Sequence, residues 1–398
     1  MADGARDGVY LDYAATSAVR PDAVIDAVTR YLRDVGATPG RSGHRLALEA
    51  GRVAFRCRRA LAELFGVRGD PGRIAFQPST TYACNAALFG LLGPGDRVVR
   101  TAWDHNCVRR PLAALERRGV EVAVVGGTAE GGIDLDELET ALGGAGKPAR
   151  LLAFPHASNV TGAALPVAAM AERAHSIGTL VFVDTGQSAG HLPIDVEAMG
   201  IDLMAFAGHK GLLGPQGIGG LYVRAGIEID PVFSGGTGGD SLPFEMPAAM
   251  PDRLEAGTLN GPGIAGLLAG LEWLAERGID SVHTRENALK ARLRDALAGI
   301  DGVRLRSPAA PDGVGIVTIT VDGMRGSDLA GRLDREHGVM TRAGLHCAPE
   351  AHALLGTAEG GAVRFSVGWA TTEEDVDRAA AAVAALAAEE TPGPQAGS

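Results

Sequence analysis

The chain has 398 residues, 46% of them hydrophobic and 21% charged, which suits a large domain plus a smaller one. With 37 Lys and Arg against 48 Asp and Glu, the formal charge of −11 argues against nonspecific nucleic-acid binding, and no apolar run is long enough to span a bilayer. The first eight residues are polar and lack an apolar h-region, so no secretory signal is visible and a cytoplasmic enzyme is expected.

A short strand over 9–11 runs into Asp12-Tyr13-Ala14-Ala15-Thr16. Pro21 then opens a helix to about 33, with Val24, Ile25 and Val28 spaced for one apolar face. Residues 36–45 form a glycine-containing loop whose Arg41, His44 and Arg45 could contact an anion or simply be solvated. A long helix over about 46–65 follows. From residue 73 strands and helices alternate, with strands at 74–76, 97–100, 120–124, 150–154, 180–183, 203–206 and 219–223. That alternation predicts an α/β fold with a mostly parallel seven-stranded sheet covered on both faces.

Residues 226–262 are rich in Gly and Pro. The run Gly235-Gly236-Thr237-Gly238-Gly239 lacks the strand-to-helix context of a phosphate loop and reads as an active-site or interface loop. Helices at about 264–277 and 281–297 lead into a small α+β region with strands at 303–306, 314–321 and 363–367. The expected division is an N-terminal segment, 1–20, packing on the small domain; a large domain, 21–262; a small domain, 263–388; and a disordered tail, 389–398. Four cysteines, Cys57, Cys84, Cys107 and Cys347, match neither a zinc pattern nor a disulfide framework. Cys57 and Cys84 fall in helix-like segments and read as small core hydrophobes.

Ligands of such sheets sit at the carboxyl ends of strands. The polar residues fall there: Ser79-Thr80-Thr81, Asp104-His105-Asn106, His156 and Asn159, Asp184 and Gln187, and finally Lys210. Lys210 lies in the glycine-rich Phe206-Ala207-Gly208-His209-Lys210-Gly211-Leu212-Leu213-Gly214-Pro215. Burial disfavours its ammonium, and an unprotonated amine can form a Schiff base. An aldehyde-bearing aromatic cofactor held this way also needs an anion for its ring nitrogen, a stacking partner, a donor to the ring oxygen and a phosphate cradle. Asp184, His105, Gln187 and the Ser79–Thr81 turn are candidates for these. Each alone has an ordinary reading, as a turn lysine or an N-cap aspartate. Their joint placement on one sheet favours the cofactor.

The chain resembles the class V aminotransferase family of pyridoxal-phosphate enzymes, in its cysteine desulfurase and selenocysteine lyase branch. The matching segments run in family order from about residue 10 to about 386. They are Leu11-Asp12-Tyr13-Ala14-Ala15-Thr16, Asp104-His105-Asn106, His156-Ala157-Ser158-Asn159-Val160-Thr161-Gly162, Val183-Asp184-Thr185-Gly186-Gln187, Gly208-His209-Lys210, Arg253-Leu254-Glu255-Ala256-Gly257-Thr258-Leu259-Asn260, Arg342-Ala343-Gly344-Leu345-His346-Cys347-Ala348 and Val363-Arg364-Phe365-Ser366.

The resemblance implies an aspartate-aminotransferase-like fold (fold type I) and pyridoxal 5'-phosphate bound to Lys210. His105 would stack on the ring and serve proton transfer, Asp184 would pair with the pyridine nitrogen and Gln187 with the ring hydroxyl. Thr80, Thr81 and His209 would hold the phosphate, with Thr258 arriving from a second subunit of a homodimer. Asn159 and Arg364 would bind the substrate α-carboxylate, with Arg342 and Ala15 beside the substrate. Cys347 would take sulfur from L-cysteine as a persulfide, flanked by Arg342 and His346, which could favour its anion. The compact cysteine loop implies a small acceptor protein. Iron–sulfur clusters, thiolated tRNA, thiocofactors and secondary metabolites all remain open as destinations.

Three positions depart from the family pattern. Ala207 stands where a hydroxyl residue is frequent, Leu345 where a histidine is frequent, and Thr185-Gly186 where smaller pairs are usual. Selenocysteine lyase, cysteine C–S lyase and amino-acid epimerase chemistry are the alternatives on such a site, and an inactive scaffold is the reading outside catalysis.

Overall fold

The computed structural model describes residues 8–39, 43–128, 131–144, 146–239, 242–309 and 313–390. Arg41 of the first loop and 391–398 of the expected tail lie outside the described residues.

Apolar runs such as Leu180-Val181-Phe182-Val183 can be buried on both faces only inside a covered sheet. Seven strands form that sheet, in the spatial order Ile74–Gln77, Gly219–Val223, Leu203–Ala207, Leu180–Asp184, Leu151–Pro155, Arg97–Thr101 and Glu121–Val125. Gly219–Val223 runs antiparallel to both its neighbours and the remaining pairs are parallel, so the predicted sheet is present with its ends displaced by a residue at most. Register aligns the strand tips: Asp184 pairs with Pro155 on one side and Ala205 on the other. Of the seven strands only the edge strand Glu121–Val125 is largely uncovered, although four of its five residues are apolar.

The predicted first helix is shorter than its apolar period suggests. It is α-helical over Asp22–Arg30, continues as a π-type turn over Tyr31–Val35, and ends at Gly36 with φ 57°. The helix Gly261–Arg277 buries Ile264, Leu267, Leu271 and Leu274 in the same core as the sheet, so by packing the larger core extends to the end of that helix, past residue 262.

The smaller core surrounds a four-stranded antiparallel sheet of Arg342–Gly344, Ala362–Ser366, Ile316–Val321 and Val303–Leu305. The N-terminal strand Val9–Tyr10 pairs in parallel with Val339–Met340, and Asp12 bridges to Ser366. That crossing brings Asp12 beside the small sheet. Among the described residues no helix is long and apolar enough to cross a membrane.

Candidate active site

The aligned strand tips leave a recess, and Lys210 stands in its wall. Lys210 follows the strand Leu203–Ala207, whose turn is fixed by Gly208 N–H donating to the Ile218 carbonyl and Gly214 N–H to that of Gly208. Burial pulls its pKa below the ordinary lysine value, opposed by Asp184 and assisted by Arg364 and Arg342. An amine so placed sheds its proton more readily than one in water.

Asp184 ends the strand Leu180–Asp184 and is buried. Gly186 N–H donates to its Oδ1 at 2.8 Å, and the Cys107 thiol donates to Oδ2 at 3.2 Å. Cys107 is held protonated: its contact with Cys84, its burial and the nearby Asp184 all raise its pKa well above the usual thiol range. Cys84 is core-buried, as expected, but it also touches this thiol, and the two sulfurs and the Asp184 oxygen lie within 4.8 Å of one another. Cys57 is an ordinary core residue.

His105 caps the helix Asn106–Glu116, its Nδ1 accepting from Cys107 N–H at 3.0 Å. Burial, with Lys210, Arg342 and Arg364 nearby, lowers its pKa to about 4, so at neutral pH the ring is uncharged and its hydrogen is on Nε2. A flat neutral ring suits the stacking role. As a base the same ring must use a nitrogen that already carries a hydrogen or already accepts one, so stacking is the role its hydrogen bonds favour.

Ser79 caps the helix Thr80–Leu91 by accepting from Tyr82 N–H, and Thr80 and Thr81 begin that helix on the wall of the recess. The N–H groups of a first helical turn lack carbonyl partners in the helix, so this corner is suited to a phosphate. His209 lines the same wall with Nδ1 3.0 Å from Thr16 Oγ1; burial, Lys210 and Arg20 lower its pKa to about 4. Gln187 also lines the recess, with one amide hydrogen on the Ala14 carbonyl at 3.0 Å and a second hydrogen to spare. Ala207 is buried at its strand end and supplies no hydroxyl, while Thr185 directs its own to the Ala205 carbonyl.

Of the expected substrate groups, Arg364 and Arg342 come from the small sheet and Asn159 from the large domain. Arg364 is 1% exposed; its Nη1 donates to the Asn159 carbonyl at 2.9 Å and Nη2 to Asp12 Oδ1 at 3.0 Å, while its buried Nε–H has no protein partner. An orphaned guanidinium donor in such a place fits an anionic ligand. Asn159 donates from Nδ2 to the His346 carbonyl at 2.6 Å, so its amide holds the cysteine loop as well as lining the recess. Arg342 lies directly across the sheet from Arg364, and its Nη2 is 4.0 Å from Cys347 Sγ. Like charges in opposed strand positions are unfavourable in isolation, and the pair concentrates positive potential where a carboxylate and a thiolate are needed.

Cys347 is exposed. It and His346 have φ 57° and 48°, a left-handed pair without glycine. Asn106 N–H donates to the Cys347 carbonyl at 2.8 Å, joining the loop to the residue after His105. Just beyond, Glu350 accepts from Arg100 at 2.5 and 2.9 Å and from Arg109 at 3.0 Å. Those two arginines outweigh burial and hold its carboxyl below the ordinary value. Leu345 faces solvent beside the cysteine.

Five expected residues are not among those lining the recess: Arg364, Arg342 and Cys347, which adjoin it through the contacts with Asn159 and Asn106 just described, and Ala15 and Thr258. The Ala15 N–H closes a turn onto the Asp12 carbonyl, so Ala15 offers no backbone donor, and it does not line the recess. Thr258 is exposed and lines a separate recess with Arg58, Glu255 and Gly236–Gly238, outside the Lys210 recess of its own chain. Sequence reasoning missed Asp12 as the Arg364 partner, and it missed Cys107, Glu350 and His352. Only Cys107 had a usable signal, two positions after His105 at a strand-to-helix turn.

The profile of the class V aminotransferase family matches residues 9–379. The chain belongs to that family. A probable cysteine desulfurase of Methanothermobacter thermautotrophicus is 34% identical over 93% of this chain and 92% of its own. A cysteine desulfurase of Haloferax volcanii is 33% identical over 93% and 87%. Among solved structures, the apo cysteine desulfurase of Thermococcus onnurineus superposes with TM-score 0.90 at 30% identity, covering 96% of this chain and 95% of the other. The Escherichia coli cysteine desulfurase CsdA gives 0.85 at 32% identity over 96% and 95%. The fold is therefore the fold-type I pyridoxal-phosphate fold, and the cofactor of this family is pyridoxal 5'-phosphate. The donor set fits it: an amine of lowered pKa, a buried carboxylate with a second acceptor site, a neutral ring and an open helix N-terminus.

Proposed function

We propose that the protein is a cysteine desulfurase that converts L-cysteine to L-alanine, Cys347 receiving the sulfur as a persulfide and passing it to an acceptor. The observation that carries this reading is the exposed thiol of Cys347 on a turn anchored to Asn106 and Asn159, with Arg342 at 4.0 Å, beside a recess built around Lys210. Lys210, Asp184, His105, Gln187, His209 and the N–H groups of Thr80 and Thr81 would hold pyridoxal 5'-phosphate, which supplies a sink for the electrons left at the substrate Cα.

Lys210, whose ammonium burial disfavours, takes the Cα proton and returns it later. Arg364 orients the substrate carboxylate, Asp12 holding the guanidinium in place. The Cys347 thiolate then attacks the substrate sulfur. The S–S bond forms as the Cβ–S bond breaks, its electron pair stays with Cβ, and that carbon takes up the proton the Cys347 thiol lost to become the methyl group of alanine.

The supports for a homodimer are Thr258, exposed and outside the Lys210 recess, and the exposed pair Tyr82 and Phe233, stacked on one another. A second copy would bring Thr258 to the phosphate. A small thiol-bearing acceptor protein in the cytoplasm suits a cysteine turn without reach. The test is single-turnover reaction of the cofactor-loaded protein with L-cysteine and, separately, L-selenocysteine. Wild type is expected to yield one alanine and one Cys347 persulfide per site, and Cys347→Ala to lose sulfur delivery to an acceptor. Undiminished delivery by that variant would overturn the reading.

A further inference from the structure

Behind the cysteine turn lies a row of buried side chains for which the reaction has no use. His346 Nδ1 is 2.9 Å from His352 Nε2, and His352 Nδ1 is 2.7 Å from Thr357 Oγ1. At the other end His346 Nε2 is 3.0 Å from the Arg342 carbonyl. The three side chains are at most 3% exposed, and the two rings stack with centroids 5.1 Å apart.

One end fixes the direction of the whole row. A carbonyl can only accept, so His346 Nε2 carries hydrogen. Neutral His346 then has a bare Nδ1, which must accept from His352 Nε2–H. His352 Nδ1 is left bare and accepts from the Thr357 hydroxyl. With both rings neutral each contact has one donor and one acceptor; the Thr357 hydroxyl, also 3.4 Å from the His352 carbonyl, accepts from His352 Nδ1 only where that ring is charged. Arg364, acting on both rings, and Arg342, acting on His346, disfavour a cation there. Burial and these arginines lower His346 to about 3 and His352 to about 4.

The row closes on the strained part of the loop. Consecutive left-handed residues at His346 and Cys347 are costly for side chains with a Cβ and persist only where the surroundings over-determine them. Asn159 and Asn106 hold the two carbonyls of the turn, and Ala348 N–H donates to that of Leu345. Those contacts fix the backbone from outside. The His346 ring ties it from within, back to the residue where the strand begins.

We propose that the His346–His352–Thr357 chain is a positioning device that locks the Cys347 turn in its left-handed form, both imidazoles standing as the Nε2–H tautomer. Its effect on turnover rests on Cys347 being the sulfur acceptor; its tautomers do not.

Nitrogen-15 NMR of histidine-labelled protein from pH 6 to 9 is expected to give neutral Nε2–H signals for both residues, assigned by single substitutions. A charged ring or an Nδ1–H form of His346 would overturn the chain. In single turnover with L-cysteine, His352→Leu is expected to slow persulfide formation by about tenfold or more with the concentration dependence little changed, since small misplacement of a reacting atom is costly. His352→Gln, whose amide can donate to His346 Nδ1, is expected to restore the rate to within about threefold. Should the leucine variant not fold, Thr357→Val removes only the terminal donor, and an Nδ1–H population on His352 is the expected signature. Unchanged rates and spectra in these variants would overturn the proposal. Cys347→Ala in the same assay separates the two questions: if it keeps sulfur transfer, the acceptor reading fails while the tautomers still judge the chain.

Discussion

The two halves of the site are built in opposite ways. At the cofactor end, Lys210, Asp184 and the Thr80–Thr81 turn each stand at the end of a different strand of one buried sheet, and each is oriented mainly by its own strand and turn. At the cysteine end, the short strand Arg342–Gly344 contributes little, and side chains from other elements take over: Asn159 holds the His346 carbonyl, His352 the His346 ring, and Arg100 and Arg109 the Glu350 carboxylate just beyond. The first half separates chemistry from shape. In the second they are coupled, and a single deletion alters both.

The sharpest test of that contrast is Lys210→Ala. Loss of an amine that serves as both cofactor anchor and base is expected to lower turnover by at least about 10³-fold. Stability should stay level or rise, because the change removes a cation that burial already disfavours. Thermal unfolding of the cofactor-free protein checks the second half of the statement. A large fall in its midpoint would show that shape and chemistry are coupled at this end too.

The same contrast explains what could be read beforehand. Buried strands announce themselves as apolar runs, and functional residues follow at their tips, so His105, Asp184 and Lys210 were legible from position alone. The strand Arg342–Gly344 has three residues, two of them arginine and glycine, and carries no period. The left-handed turn at Cys347 contains no glycine where one would mark it. Family resemblance located that cysteine; periodicity did not. His352 sits six positions from His346, a spacing that belongs to no single helical face, and only tertiary structure brings the rings together. Ala15 shows the reverse limit: a motif match conveys identity but not which hydrogen bonds a backbone N–H has already made.

A middle-sized effect should appear with pH. His105, His156, His209 and His352 are lowered to about 4 and His346 to about 3 by burial. Unfolded histidines titrate near 6.5, so between about pH 6.5 and 4 the unfolded chain binds protons that the native chain does not. Native stability therefore falls as pH is lowered through that window, and the dependence fades below about 4 as the native rings also protonate. Each such ring contributes a slope near 1.4 kcal/mol per pH unit. Calorimetry in buffers of different ionisation heat is expected to show His352→Gln unfolding at pH 5 with about one proton less uptake than wild type. An unchanged uptake would mean that the residue is not the neutral buried ring described.

The smallest predicted effect concerns a place where the cofactor end relies on a neighbour, as Gln187 and His209 also do through Ala14 and Thr16. Asp184 would serve a ring nitrogen while also accepting from the Cys107 thiol at 3.2 Å. A donor on that oxygen fixes the orientation of the carboxylate toward the ring nitrogen. Cys107→Ala removes that donor and leaves Oδ2 free to turn. Turnover is expected to fall by about fivefold, the equivalent of one hydrogen bond of roughly 1 kcal/mol. Cys107→Ser keeps a donor of similar size and is expected to remain within about twofold of wild type. Cofactor affinity should change little in either, because Lys210 and the Thr80–Thr81 corner are untouched. Equal losses in alanine and serine would reduce Cys107 to a packing residue, and the cofactor end would then be as independent of its neighbours as the strand tips alone suggest.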